Sequence, residues 1–164
     1  FDAEFKNLML KMDSEENMSG FMQLIEELIL ANYPFKDFNN FLGQLYGACH
    51  KENRSSSIRL KNDFFSIITS YLLFMQSLNQ VQAVPLGELL KITFSEMNEN
   101  ISENPQRSEM NLRNQVTAIF GRIVLINFEG VANFLQQSNT DLGEFILLLD
   151  VIFLFFLFFG ENSN

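Results

Sequence analysis

The stretch VTAIFGRIVLINFEGVANFLQQ, Val116 to Gln137, decides how the rest of the chain is read. Wound as a helix at 100° per residue, it sets Gln115, Arg122, Glu129, Asn133 and Gln136 within roughly 40° of one line, with almost everything else apolar. A helix with so narrow a polar stripe is buried on most sides. It is therefore expected as one continuous helix, the most buried of its bundle, with the stripe opening to water or into a groove. Arg122 is its only cation.

Downstream, Thr140 and Asp141 followed by Glu144 make a capping-type start for a last helix. Its apolar run, FILLLDVIFLFFLFF from Phe145 to Phe159, carries a single charge, Asp150. The short Asn139-Thr140 connection predicts that this helix folds back antiparallel on the central one, giving a central apolar helical hairpin. The run is short of the roughly 20 residues a membrane span needs, and its midpoint carboxylate would cost about 3 kcal/mol in lipid. Burial is the favoured expectation, and membrane insertion of the Phe-rich hairpin is the alternative. If buried, Asp150 needs a partner or a proton.

Upstream, the helical period recurs. Residues 1–20 mix charge and Met without a clean repeat, although Phe5, Leu8, Met9 and Met12 suit a short helix. Phe21, Leu24, Ile25, Leu28 and Ile29 predict an amphipathic helix over Phe21–Tyr33 stopped by Pro34. Phe38, Phe41, Leu42 and Leu45 predict another over Lys36–His50, with Gly43 and Gly47 one turn apart. After a polar loop, Ser57 caps a long helix from Ile58 to about Val81, and Pro85 opens one reaching about Met97. Residues 98–111 are polar enough to be a break. No strand pattern competes, so the expected fold is an all-α bundle of six or seven helices in one domain, residues 1–164.

Composition excludes several function classes. Eleven basic against twenty acidic residues, a net charge of −9, leave no basic patch for nucleic acid. One cysteine, Cys49, and one histidine, His50, exclude an internal disulfide and a Cys/His zinc set. Side chains adjacent on a helix diverge by 100°, so Cys49 and His50 do not make a nucleophile and its base. No phosphate loop, GxSxG elbow or HExxH occurs, and the scattered carboxylates read as solvation of helix faces. A non-enzyme with no cofactor and no metal is expected. Asn17, Asn53 and Asn100 each begin an Asn-x-Ser triplet, which chance supplies in an Asn-rich chain. Nineteen Phe, no Trp and 47% hydrophobic residues point to a large apolar interior or an exposed apolar groove. Phe1 in place of Met suggests a fragment or a processed product.

Two segments resemble homology regions of the B-cell lymphoma family of apoptosis regulators. Gly121-Arg122-Ile123-Val124, continued by Leu125, Ile126, Phe128, Val131, Ala132 and Leu135, is similar to that family's first region; Ile58-Arg59-Leu60-Lys61-Asn62-Asp63-Phe64-Phe65 is similar to its third. In the third-region pattern Ile58, Asp63 and Phe65 match, whereas Lys61 and Asn62 stand where an apolar and a small residue are usual. Ile119-Phe120 replaces the usual Asn-Trp, and the Trp-bearing second region is unrecognisable. The resemblance implies an apolar groove that binds amphipathic death-motif helices of pro-apoptotic partners, with Arg122 pairing the ligand's Asp. It also implies a cytoplasmic location at or near the mitochondrial outer membrane. Candidate groove residues are then Gly121, Arg122, Phe120 and Val124 with Phe65, Ile68 and Leu72. Lys61 and Asn62 suit a receptor better than a donor helix, hence an inhibitor of cell death. The alternatives are the membrane-inserting hairpin and an unrelated helical scaffold.

Overall fold

A computed structural model describes residues 2–50, 57–97, 99 and 104–137. Among them are seven α-helices and no strand: α1 Asp2–Lys11, α2 Glu15–Leu30, α3 Phe38–Ala48, α4 Ile58–Ser77, α5 Leu86–Met97, α6 Arg107–Ile126 and α7 Phe128–Gln137, with a 3-10 turn at Val81–Ala83. The all-α bundle expected from periodicity is what the chain forms. The last apolar helix, including Asp150, lies outside the described residues.

Local chemistry explains the boundaries. Ser14, Asp37 and Ser57 each accept a hydrogen bond from the backbone N–H three residues on, at 3.1, 3.3 and 3.2 Å, and so start α2, α3 and α4. At the other ends, Asn32 and Asn79 adopt positive φ, 56° and 54°. Around Asn32, its own N–H reaches the Ile29 carbonyl and the Tyr33 N–H reaches that of Leu28; around Asn79, the same pair of bonds runs to Gln76 and Met75. These are two Schellman motifs with asparagine in the left-handed position. They end α2 three residues before the expected Tyr33 and α4 four before the expected Val81, so asparagine rather than Pro34 is the stop. At α6 the Glu109 carboxylate accepts from the Gln106 N–H at 2.8 Å, which starts the helix inside the stretch expected to be a break.

The central place belongs to α4, not to the segment 116–137. Nine of its residues, Leu60, Lys61, Phe64, Phe65, Ile67, Ile68, Tyr71, Leu72 and Met75, are buried, more than on any other described helix, and they form one broad face about 160° wide. Against α2 it makes two polar contacts at one constant offset, Ser19 to Asp63 and Ser70 to Glu26, 44 residues apart in each case. Against α6 it makes two more, Asn62 to the Ser108 carbonyl and Gln76 to Arg122, each 46 apart. A constant offset means parallel axes, so α2, α4 and α6 run side by side in one direction, and α3 and α5 are the returns. Phe5, Phe21, Tyr33, Phe35, Phe38, Phe41 and Tyr71 close one end in a chain of ring contacts with centroids 4.6 to 6.3 Å apart, which gives many of the phenylalanines a place.

The expected single helix over Val116–Gln137 is corrected to two, α6 and α7, bent by 108° at Asn127. Asn127 closes α6 through its N–H to the Ile123 carbonyl and opens α7 by accepting the Gly130 N–H on its side-chain oxygen at 2.9 Å. Gly130 fits closely here: a Cβ would sit 2.5 Å from a methyl of Leu86 on α5 and 2.6 Å from the Asn127 amide, so both side chains would have to move. The polar stripe is therefore cut: Gln115 and Arg122 stay on α6, while Glu129, Asn133 and Gln136 turn away on α7. Asn127→Ala is expected to lower stability by about 1 kcal/mol through the lost cap, and Phe64→Ala, at a fully buried ring of α4, by about 3 to 5 kcal/mol, both read from urea unfolding.

Candidate functional site

Two surface features and one polar cluster stand out once α4 is in place. The first surrounds Arg122. Of the residues expected to wall a groove, Phe65, Leu72 and Phe120 are wholly buried, Ile68 is 1% and Val124 5% exposed, and Gly121 is buried too. The apolar ones all belong to the hydrophobic core, where Phe65 meets Tyr46 of α3 and Phe120 meets Phe94 of α5. In this conformation they line no open groove, because α4 is covered by α2 on one side and by α6 on the other. Arg122 itself is half-buried; it donates a long hydrogen bond, 3.5 Å, to Gln76 and makes no ion pair among the described residues. One turn on, Leu125 is 57% exposed, and across the bend Phe128 is 70% exposed. Leu73, one turn before Gln76 on α4, is 46% exposed. What faces solvent is thus a cation with apolar residues beside it, built from different residues than the spacing suggested.

The second is a cleft of about 210 Å³ where α2 and α4 end, lined by Ile29, Tyr33, Phe35, Phe38, Tyr71 and Phe74 among others. Sites for drug-sized ligands run to about 300–1,000 Å³, so this one suits one or two apolar side chains. Burial pushes the Tyr71 phenol up to about 12, so it stays neutral there.

The polar cluster centres on Lys61, only 3% exposed. Its ammonium reaches Glu96 at 3.1 Å and Glu99 at 2.5 Å, both supplied by the end of α5 and its extension. Burial works to lower the Lys61 pKa, but the hydrogen bonds and charges of Glu99 and Glu96 outweigh it and hold the group above its ordinary value. For Glu99, burial pushes up, while the Lys61 hydrogen bond and charge, with help from His50, bring it below. The Tyr46 hydroxyl donates to Glu96 at 2.8 Å, and burial followed by the Glu96 charge raises its pKa strongly. His50 Nε2 lies 3.1 Å from Glu99, whereas the Cys49 thiol turns inward to the Leu45 and Leu60 carbonyls at 3.5 and 3.8 Å. This cluster was missed by periodicity, which reads Glu96 and Glu99 as solvated; the signal available was Lys61, a cation on the apolar face of a helix. Of the sequons, Asn53 and Asn100 lie outside the described residues, and Ser19 of the third is buried with its hydroxyl on Asp63 at 2.6 Å.

No described helix by itself is long and apolar enough to cross a membrane; α6 and α7 reach that only as a bent pair. No family model, curated protein or solved structure matches the chain.

Lys61→Met leaves two carboxylates without their cation, one of them deeply buried. Unfolding in urea is expected to register a loss of about 3 to 5 kcal/mol at neutral pH, reduced to the extent that water screens the half-exposed Glu99. The sign with pH follows from the shifts. Glu99, lowered when folded, contributes above its ordinary range and loses that contribution as pH falls through the folded value; Lys61, raised when folded, contributes below its ordinary range and loses it as pH rises through the folded value. The wild-type advantage over Lys61→Met is therefore expected to be flat across neutral pH and to shrink at both extremes.

Proposed function

We propose that the chain is an interaction module, not an enzyme, that captures an amphipathic helix of a partner, in the manner of the apoptosis regulators that its Gly121-Arg122-Ile123-Val124 segment resembles. The observation that carries this is Arg122: half-buried, without a carboxylate among the described residues, and flanked by exposed Leu125 and Phe128. A ligand helix needs apolar anchors one turn apart and an acid to fix its register, and this corner of α6 and α7 offers the complement.

A receptor role, and with it inhibition of death, is favoured over a donor role by the segment that resembles the third homology region. Leu60, Lys61, Phe64 and Phe65 of that segment are buried in the core. Offering them to another protein would require α4 to leave the centre of its own fold. The location that goes with this reading is the cytoplasmic side of the mitochondrial outer membrane.

Calorimetric titration of third-homology-region peptides at physiological salt tests the proposal. Micromolar or tighter binding to at least one peptide is expected, about −8 kcal/mol. Arg122→Ala should cost about 1 to 3 kcal/mol of it, and Phe128→Ser should weaken the same peptide. No heat across the panel, or an affinity indifferent to both substitutions, would overturn the proposal. Flotation with liposomes, with and without residues 142–164, separates it from the membrane-inserting alternative.

A further inference from the structure

Lys61 takes up only half of the carboxylate oxygens around it. Lys61 Nζ takes one oxygen from each carboxylate, Oε1 of Glu96 at 3.1 Å and Oε2 of Glu99 at 2.5 Å. The other oxygen of each turns toward His50, whose Nε2 stands 3.1 Å from Glu99 Oε1 and 4.0 Å from Glu96 Oε2. On the opposite side of the ring, Nδ1 is 3.0 Å from the Tyr46 carbonyl oxygen, which can only accept, so Nδ1 carries a proton. The neutral imidazole then aims a bare Nε2 lone pair at a carboxylate oxygen. Two acceptors at that distance repel unless a cation lies between them, and the candidates are a proton on Nε2 or a metal ion.

We propose that His50 Nε2, Glu96 Oε2 and Glu99 Oε1 form a binding site for a zinc-class divalent cation. The three atoms lie within 4.8 Å of one another. A four-coordinate ion with nitrogen and oxygen ligands at about 2.0–2.2 Å needs donors roughly 3.4 Å apart, so a side-chain adjustment of about 1 Å at Glu96 closes the set. The parts around the ligands are those that orient such sites: a backbone carbonyl fixing the imidazole tautomer, a tyrosine hydroxyl on Glu96 Oε2 at 2.8 Å, and an ammonium holding both carboxylates in place. His50 and Glu99 are 30% and 41% exposed at the side chain and Glu96 only 6%, so an ion enters from the His50 side, meets Glu96 innermost and keeps water as its fourth ligand. One imidazole with two carboxylates suits zinc, with manganese next. Lys61 leaves the ligand set one negative charge instead of two, which makes the site weaker than a structural zinc centre. The ion would tie the end of α3 to the end of α5.

The test is titration of the metal-free full chain with zinc chloride, followed by calorimetry and thermal unfolding. One ion per chain is expected, with affinity falling as pH drops because metal and proton compete for Nε2. At a hundredfold excess over Kd the Tm should rise by roughly 5 to 10 °C. Cobalt(II) in place of zinc should give the visible absorption of a low-symmetry nitrogen–oxygen site. His50→Phe keeps a ring against Tyr46, from which the imidazole is 4.5 Å away centre to centre, yet cannot ligate; it should fold, bind zinc at least tenfold more weakly and lose the cobalt spectrum. Lys61→Met should gain more in Tm from zinc than wild type does, since the ion replaces the missing charge. No binding, or equal affinity in wild type and His50→Phe, overturns the proposal.

Discussion

Lys61 sits on the broad buried face of α4, and the rest of the bundle accommodates that fact. An ammonium cannot be left in an apolar interior, so the neighbours of α4 must bring it anions. Glu96 and Glu99 do this from the end of α5. The same helix carries a part-buried acid on its other side, where Asp63 accepts the Ser19 hydroxyl of α2. These polar contacts contribute little to net stability compared with the apolar area around them, because water would have satisfied the same groups. Their effect is on arrangement: an apolar seam tolerates sliding, whereas a buried charge has one acceptable position relative to its partner.

The helix lengths are set by asparagine. Asn32 and Asn79 stop α2 and α4 by entering the left-handed region, and Asn127 ends α6 and caps α7. Asparagine suits both tasks: it enters the left-handed region more readily than most residues, and at Asn127 its side-chain oxygen takes a backbone N–H from the next helix. The bend at Asn127 has the largest consequence. A straight helix over the same residues would have carried Phe128, Val131 and Leu135 along the line of α6; the bend instead lays α7 on α5, with Gly130 against Leu86 and the rings of Phe94 and Phe134 stacked at 6.1 Å.

That bend also shapes the surface where a partner would sit. It leaves Leu125 and Phe128 at a corner beside Arg122, and the aromatic cleft at the ends of α2 and α4 is a separate feature, bounded by the loop that follows Asn32. The two differ in chemistry. One joins a cation to exposed apolar residues; the other is small, mostly apolar and without a charged residue in its lining. An acidic amphipathic helix is complementary to the first, which is why the proposed function rests there.

What the sequence determined by itself is the class of fold and the positions of most helices. The 3.6-residue period of Phe21, Leu24, Ile25, Leu28 and Ile29, and of Ile58, Phe65, Ile68 and Leu72, depends only on one face meeting an apolar surface, whatever supplies that surface. Caps at Ser57 and the break at Pro85 are equally local. Which helix lies at the centre is not local. The segment 116–137 and α4 are both apolar enough to be buried, and only packing gives the centre to α4, because α2 and α6 cover it on two sides at once. The same limit explains the site residues. Spacing placed Phe65, Ile68, Leu72, Phe120 and Val124 on common faces, but a common apolar face serves a groove and a core equally well, and tertiary contact turned these faces to the core. The cluster of Lys61, Glu96, Glu99 and His50 was out of reach for a related reason: His50, Lys61 and the Glu96–Glu99 pair are 11 to 49 residues apart in sequence, and nothing short of the folded chain brings them together.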